Sequence, residues 1–477
     1  MTDVATSLGR EREEQGRWRL LPQYSGVDIF DRLLENEFRD PEENRHLQEA
    51  ELSRVMRFAA TRVPYYSRVF AEHGVNPERD RALECLSRLP LLGKAQVQEN
   101  RKALCATALP KGESTYAWFS SSGTTGRATQ VLHTSASNNM FNLLEQRQLR
   151  WFRWDPLKLR ADIRIATQFP PTEKGEQSPV GSSFRMKRWR YVGRFFESGD
   201  YVGLCVTNPL ARQVAWLREV RPDYLMAYPS TLERLAFELG GGARDIGIRG
   251  IYAISEQMTA VMRRRTESSF GVPIDQNYGL NEIGKVALRC RTGRYHVHLE
   301  HCLVEVLDAE GQACKPGETG RLVITALRNL AMPLIRYESG DLAEVTEGSC
   351  SCGSTLPSFG PISGRYRRMA QAPDGTSLQI FVLKAALESM PAELNANLRQ
   401  YQIRQQHDGS YEILLKVAAE LPAAFEAWLR DQWQERIERD RPALSLRVVE
   451  DIPLSGSGKA EDFISQVVPG AEEAPGG

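Results

Sequence analysis

The sequence lacks any apolar run long enough to cross a bilayer, and its N-terminal stretch lacks the apolar core of a secretory signal peptide. It also lacks an excess of charge of either sign, because Lys plus Arg and Asp plus Glu both number 61. A basic excess is the usual electrostatic footprint of proteins that bind nucleic acid or anionic membranes. We therefore predict a cytoplasmic protein with neither nucleic acid nor membrane among its partners.

Cysteine is scarce, with 8 in 477 residues, which excludes a fold held together mainly by disulfides. Cys85, Cys105 and Cys205 stand alone and are expected to be buried as small apolar side chains. The other five fall between Cys290 and Cys352. The chain is longer than one hydrophobic core normally supports, so two or more domains are expected.

Hydroxyl and glycine residues are concentrated in one loop that follows the strand-like run Tyr116–Phe119. The loop consists of Ser121, Ser122, Gly123, Thr124, Thr125 and Gly126. Glycines let backbone N–H groups approach an anion, and hydroxyls add donors or reach a metal ion. This composition favours a phosphate-binding loop, although a solvated turn is the alternative. It is not a Walker loop, because no Gly-Lys-Ser/Thr follows.

Strand-like and helix-like segments alternate through the first two thirds of the chain, which predicts an α/β fold with a mainly parallel sheet. Ligands of such sheets bind beyond the carboxyl ends of the strands. We expect four functional loops there: Ser120–Gly126, Tyr228–Ser230, Ser255–Glu256 and Tyr278–Glu282. The last is predicted to follow a strand around Val272–Ile274. A helical stretch is expected from Asp28 to Arg62 and a β-rich subdomain from Cys302 to Arg336. A small α+β module is expected beyond residue 370, with its first strand at Gln379–Leu383.

The order Ser-Ser-Gly-Thr-Thr-Gly resembles the phosphate loop of the adenylate-forming superfamily of acyl-CoA synthetases, adenylation domains and luciferases. Four further elements follow in the order of that superfamily: Tyr278-Gly279-Leu280-Asn281-Glu282, Tyr337-Glu338-Ser339-Gly340-Asp341, Gly364-Arg365, and Pro453-Leu454-Ser455-Gly456-Ser457-Gly458-Lys459. A Pro-Tyr-Tyr helix at Pro64 and a Leu-Pro element at Leu89 resemble the phenylacetate–CoA ligase-like branch.

The resemblance implies ATP as a substrate and a role for each matching residue. Contacts with ATP or AMP are implied for residues 121–126 and for Ser255, Glu256, Tyr278, Gly279, Asn281, Asp341 and Arg365. Thr125 and Glu282 are implied to hold Mg²⁺, which prefers one or two carboxylates plus phosphate oxygens. Lys459 and Glu282 are implied to be catalytic, and Lys459 is expected to stabilise charge between the carboxylate and the α-phosphate. Tyr228, Pro229, Ala253 and Asn277 are candidates for the acid pocket.

A second group of residues has the composition of a metal site. Cys290, His296, Cys350 and Cys352 supply three thiolates and one imidazole, a standard structural zinc set. His298, His301 and Cys302 lie close enough in sequence to replace one of them, and reduced cysteines near a turn are the plain alternative. The phenylacetate–CoA ligase-like branch carries zinc at matching positions, so the resemblance implies structural Zn²⁺ here.

The predicted organisation is a flexible lead (1–20), a large adenylate-forming domain (21–363), a hinge (364–368), a small mobile C-terminal domain with Lys459 (369–467) and a disordered tail (468–477). The implied function is activation of a carboxylic acid, with an aromatic acid expected, as acyl-AMP and its transfer to coenzyme A.

Alternatives remain open at this stage. The segment Ala372–Ser377 departs from the typical phenylacetate–CoA ligase loop, so a carrier-protein thiol or an amine stays open as acceptor. An inactive zinc-stabilised binding protein on the same scaffold is the alternative of another class. A homodimer is also left open.

Overall fold

A computed structural model describes residues 18–24, 29–120, 129–172, 174–365, 390–436, 442–452 and 463–466, together with positions 383, 386 and 387. Several predicted elements lie outside these residues: the phosphate loop from Ser121 to Gly126, positions 366–368 of the predicted hinge, the loop that carries Lys459, most of the predicted N-terminal lead, and the tail. Within the described residues, no helix is both long enough and apolar enough to span a membrane.

The N-terminal part of the chain is helical. Its helices are α1 (Ile29–Glu35), α2 (Pro41–Arg62), α3 (Pro64–Glu72), α4 (Ala82–Arg88) and α5 (Lys94–Glu99). Asp40 caps α2 by accepting hydrogen bonds from the backbone N–H groups of Glu42 and Glu43, and Pro41 occupies the first turn, where its missing N–H costs nothing. The predicted helical stretch from Asp28 to Arg62 is therefore two helices rather than one.

A nine-stranded sheet forms the centre of the large domain. Its strands, in spatial order, are β14-β10-β9-β8-β7-β6-β3-β5-β4. Neighbours from β8 through β5 are parallel, and the pairs at both ends are antiparallel. The strands are β3 (Arg160–Arg164), β4 (Ser183–Met186), β5 (Tyr201–Cys205), β6 (Tyr224–Ala227), β7 (Gly250–Ala253), β8 (Ile274–Leu280), β9 (Gly284–Arg289), β10 (Tyr295–Val297) and β14 (Ser358–Phe359). The predicted α/β class with parallel strands is confirmed.

Helices cover this sheet, and two smaller sheets accompany it. The helices are α6 (Ser135–Trp151), α7 (Leu210–Val220), α8 (Pro229–Leu239) and α9 (Ala260–Phe270). A hairpin pairs β1 (Thr115–Ser120) with β2 (Gln130–Thr134). The predicted β-rich subdomain is an antiparallel sheet of β11 (Cys302–Leu307), β12 (Thr319–Ala326), β13 (Tyr337–Glu344) and β15 (Ile362–Arg365).

The C-terminal module has its own sheet and its own apolar core. The sheet contains β16 (Leu398–Gln405), β17 (Tyr411–Val417), β18 (Leu444–Val449) and β19 (Phe463–Ser465), flanked by α10 (Ala392–Asn395) and α11 (Ala424–Arg436). Buried Ile403, Phe425 and Leu429 belong to this core. The sequence analysis missed β19, a three-residue strand with no pattern of its own. The exact domain boundaries stay predictions, because residues 366–382 lie outside the described part.

Two sequence-based boundaries need correction. Tyr278 and Gly279 belong to β8 itself, since the strand continues to Leu280 and turns tightly into β9. The predicted strand ending at Leu383 is wrong at that residue, which is helical. Cys105 is only half-buried, unlike Cys85 and Cys205.

Candidate active site

The hairpin of β8 and β9 and the strand β13 bring two predicted nucleotide-binding residues together. The Tyr278 hydroxyl donates a hydrogen bond to Asp341 Oδ2 at 2.6 Å. Both side chains are buried, so this contact fixes the orientation of the carboxylate and of the ring. Asp341 lies inside β13, paired with the backbone of Arg365 in β15. Asp341 and Arg365 are thus neighbours across a strand pair, although they are 24 positions apart in the sequence.

The turn of the same hairpin reaches the end of β1. Asn281 Nδ2 donates to the backbone oxygen of Ser120 at 3.1 Å. Ser120 is the last residue before the predicted phosphate loop, so this contact brings the loop's entry beside the hairpin. Glu282 Oε1 accepts a hydrogen bond from the Tyr337 hydroxyl at 3.1 Å. Segments around residues 120, 281 and 337 therefore converge on one place in the fold.

The Ser255-Glu256 element occupies the connection that follows β7. Ser255 has φ of 64°, the left-handed region in which a side chain is strained. The adenylate-forming resemblance has glycine at this position, and the backbone conformation explains why. The Glu256 carboxylate accepts hydrogen bonds from the backbone N–H and the hydroxyl of Ser230, at 2.9 and 3.1 Å. Glu256 thus caps the N-terminus of α8 and joins it to the loop after β7.

Of the four candidates for the acid pocket, Tyr228 and Pro229 lie where β6 passes into α8, Ala253 lies on β7 and Asn277 on β8. Tyr228 is fully buried, and its hydroxyl accepts from the backbone N–H of Ile165 and lies 3.4 Å from Gln168 Oε1. Ala253 is in register with Ala227. Strand alternation then places Ala253 on the face opposite to Tyr228 and Asn277. The structure therefore groups Tyr228 and Asn277 and separates Ala253 from them.

A layer of buried charges between the sheet and α6 was missed by the sequence analysis. Its members are Glu145 and Gln148 of α6, Arg160 and Asp162 of β3, Tyr201 of β5, and Lys285 of β9. The guanidinium of Arg160 pairs with Glu145 at 3.2 Å and with Asp162 at 3.1 Å, and Lys285 pairs with Glu145 at 2.5 Å. The available signal was the alternation Arg160-Ala161-Asp162-Ile163-Arg164, in which every second residue of a buried strand is charged.

Pairing with its neighbours favours the charged form of Glu145. Burial acts against the charge of Glu145, but the nearby Lys285 and Arg160 outweigh it and lower the pKa of the carboxyl group to about 2. Burial lowers the pKa of Lys285, and its ion pair with Glu145 acts in the opposite direction. Replacing one partner would leave an uncompensated buried charge, which is strongly destabilising.

The four predicted zinc ligands come together. The ligand atoms of Cys290, His296, Cys350 and Cys352 all lie within 4.8 Å of one another. The Sγ atoms of Cys290 and Cys350 are 3.7 Å apart, and Cys352 Sγ is 3.4 Å from His296 Nε2. A tetrahedral site with Zn–S bonds of about 2.3 Å separates its sulfur atoms by about 3.8 Å. The donor set and its spacing therefore fit Zn²⁺.

The surroundings of the cluster also suit a metal. Burial lowers the pKa of His296, which favours the neutral ligand form. Its Nδ1 lies 3.4 Å from the backbone oxygen of Leu356, leaving Nε2 toward the sulfur atoms. The alternative ligands are engaged elsewhere: His298 contacts Arg147, and His301 contacts the backbone oxygen of Ile283.

No protein-family model matches the chain. The phenylacetate-coenzyme A ligase of Thermus thermophilus is 28% identical over 419 residues, 85% of this chain and 88% of that protein. The phenylacetate-coenzyme A ligase of Escherichia coli is 28% identical over 334 residues, 68% of this chain and 71% of that protein.

Solved structures share the fold. A 2-hydroxyisobutyryl-CoA ligase in the postadenylation state, in complex with an acyl-AMP, matches with a TM-score of 0.70 at 19% identity, covering 91% of both chains. The same ligase in its thioesterification state matches with a TM-score of 0.57 at 20% identity, again covering 91% of both chains. An anthranilate CoA ligase in complex with anthranoyl-AMP matches with a TM-score of 0.51 at 14% identity, covering 79% of this chain and 73% of the other.

Proposed function

We propose, on the premise that the chain belongs to the phenylacetate–CoA ligase-like branch of the adenylate-forming superfamily, that it is an AMP-forming acid–thiol ligase. It activates a carboxylic acid with ATP and transfers the acyl group to coenzyme A. The observation that carries the proposal is the convergence of Ser120, Asn281, Glu282 and Tyr337 with the Tyr278–Asp341 pair. These residues belong to segments that are far apart in the sequence, and the motifs follow one another along the chain in the order of the superfamily.

In the first half-reaction a carboxylate oxygen of the acid attacks the α-phosphorus of ATP, and the bond to the β-phosphate oxygen breaks to release pyrophosphate. We assign Asp341 to the ribose hydroxyls, since a buried carboxylate oriented by Tyr278 can accept two hydrogen bonds. Tyr278 lies against the adenine. Glu282 and Thr125 would hold Mg²⁺, which supplies charge neutralisation at the phosphates.

Lys459 supplies the positive charge that stabilises the developing negative charge on the α-phosphate and the carboxylate. In the second half-reaction the coenzyme A thiolate attacks the acyl carbon and AMP leaves. The Cys290–His296–Cys350–Cys352 cluster would hold a structural Zn²⁺, because four protein ligands leave no open position for substrate. We propose an aromatic acid, held beside Tyr228 and Asn277.

The test measures acid-dependent release of pyrophosphate with ATP and Mg²⁺ over a panel of aryl and alkyl acids, with and without coenzyme A. Lys459→Ala is expected to lower the rate by about 10²–10³, the usual cost of losing one preorganised stabilising group. Lys416→Ala is the matched control, because Lys416 is a lysine of the same module that pairs with Asp451 at 2.6 Å.

The outcomes separate the alternatives. Turnover that requires coenzyme A supports a CoA ligase, whereas a single burst without turnover points to a carrier-protein thiol or an amine as acceptor. Absence of release with every acid, together with absence of ATP binding, would favour an inactive zinc-stabilised protein. Equal rates in Lys459→Ala and Lys416→Ala would remove the catalytic role of Lys459.

A further inference from the structure

Tyr191 has a strained backbone that the proposed chemistry does not explain. Its φ and ψ are 68° and −68°, and the N–H of Val192 donates to the oxygen of Arg190 at 2.9 Å across it. This is a γ-turn with positive φ, which is rare and strained for a residue with a side chain. Backbone strain of this kind clusters at functional sites.

The ring of Tyr191 packs against Phe141. Its centroid is 5.7 Å from that of Phe141 in an edge contact. Phe141 is half-buried and borders the β8–β9 hairpin, because a Cβ at Gly284 would lie 3.5 Å from its ring. On the other side, Arg190 donates to the backbone oxygen of Gln168, whose side chain meets the Tyr228 hydroxyl. Tyr191 therefore contacts Phe141 directly, and its neighbour Arg190 is linked to Tyr228 through Gln168.

A groove of about 300 Å³ lies against Tyr191. Pro170, Pro171, Met186, Trp189 and Tyr191 line it together with Arg188, Arg190 and Arg194, and the surface exposed in the groove is mostly carbon. Apolar clefts of this volume suit the carbon skeleton of a small ligand. Tyr191 thus belongs both to the wall of this groove and to the aromatic pair with Phe141.

We propose that Tyr191 is a specificity-determining residue that closes the far end of the acid pocket and so sets the length of the acid. The proposal rests on the proposed function, since it assumes that an acid is bound beside Tyr228. Removal of the ring joins the pocket to the groove, which then holds the aryl group of a longer arylalkanoic acid. The wild-type protein accordingly selects short aryl acids, and the strained turn keeps the ring in place.

The test compares kcat/KM of acid-dependent pyrophosphate release for phenylacetate and 4-phenylbutyrate, which differ by two methylene groups. Tyr191→Gly removes the ring and relieves the positive φ, because glycine adopts it without strain. We expect the ratio of 4-phenylbutyrate to phenylacetate to rise at least tenfold, the order of discrimination that one methylene gives in an apolar pocket.

Two variants control this result. Tyr191→Phe keeps the ring and is expected to keep the wild-type ratio. Arg153→Gly relieves the positive φ of 59° at an exposed residue. It should leave kcat/KM unchanged for both acids. A thermal melt checks that each variant is folded. An unchanged ratio in folded Tyr191→Gly overturns the role of Tyr191 alone. Absence of acid-dependent release in the wild-type protein overturns the proposed function, and this inference with it.

Discussion

At the residue scale, His133 shows how burial tunes a group beside the candidate site. It lies on β2 next to the backbone of Asn281 and Glu282, and its Nδ1 is 3.2 Å from Ser137 Oγ. Burial, with a further contribution from His301, lowers the pKa of His133 to about 4 from its ordinary value of 6.5. The imidazole is therefore neutral in the folded protein at physiological pH.

This shift predicts a pH dependence of stability. Between pH 6.5 and pH 4 the unfolded chain binds a proton at His133 that the folded chain does not bind, so acidification favours unfolding. Urea denaturation of wild type and His133→Asn should give a constant difference in the free energy of unfolding above pH 6.5. Below pH 6.5, the free energy of unfolding of the wild type should fall by about 1.4 kcal/mol per pH unit relative to that of the variant. Parallel curves down to pH 4.5 would contradict the neutral buried state.

At the element scale, the cysteine cluster brings the β9–β10 hairpin and the turn before β14 together. Cys290 directly follows β9, His296 lies on β10, and Cys350 and Cys352 lie in the turn before β14. These strands form the edge of the large sheet nearest the β-rich subdomain. A metal ion at this point would hold short strands, of three and two residues, that have few hydrogen bonds of their own.

Loss of one ligand should therefore release the metal and loosen this edge. Purified wild-type protein is expected to contain about one zinc per chain, and Cys350→Ser well below one. The melting temperature of the variant should fall by about 5 °C, the shift that ~2 kcal/mol produces in a large domain. Cys105→Ser is the matched control, because Cys105 is half-buried and outside the cluster. Equal zinc contents in the two variants would contradict a metal site.

At the scale of the whole molecule, the C-terminal module rests on the large domain through two arginines. Arg265 of α9 donates to the backbone oxygens of Asn395 and Leu398, and also pairs with Glu233. The guanidinium of Arg399 lies 3.6 Å above the ring centroid of Phe237. The whole chain matches the fold of the 2-hydroxyisobutyryl-CoA ligase with a TM-score of 0.70 in its postadenylation state and 0.57 in its thioesterification state.

We expect Arg265 to matter more for the formation of acyl-AMP than for the transfer of the acyl group to coenzyme A. Arg265→Ala removes charged hydrogen bonds to two carbonyl groups, worth about 1.5–3 kcal/mol each where they are desolvated. We expect acid-dependent exchange of pyrophosphate with ATP to slow about tenfold, which corresponds to 1.4 kcal/mol. Transfer from preformed acyl-AMP to coenzyme A should change little. The exposed neighbour Arg264 provides the control variant Arg264→Ala, and equal losses in both half-reactions would argue against a docking role.

Local chemistry made part of the molecule predictable. The alternation of strands and helices indicated the α/β class, and the spacing of cysteines and one histidine indicated a cluster that does form. Boundaries were harder, because Gly279 is a residue type typical of turns, yet Tyr278 and Gly279 continue β8 through pairing with β9. The charged layer around Glu145 and Lys285 was also missed, since its members come from four elements, α6, β3, β5 and β9, that only the fold brings together.

The sequence by itself determined the class of fold, the order of the motifs and the residue types available for nucleotide and metal binding. These properties depend on short-range patterns that a chain carries before it folds. Only the tertiary structure decided that Glu256 caps a helix, that Ala253 faces away from Tyr228, and that Tyr191 contacts Phe141 and lines a groove. Such outcomes depend on strand register and on contacts between distant residues, and one residue of register shift reverses the face to which a side chain points.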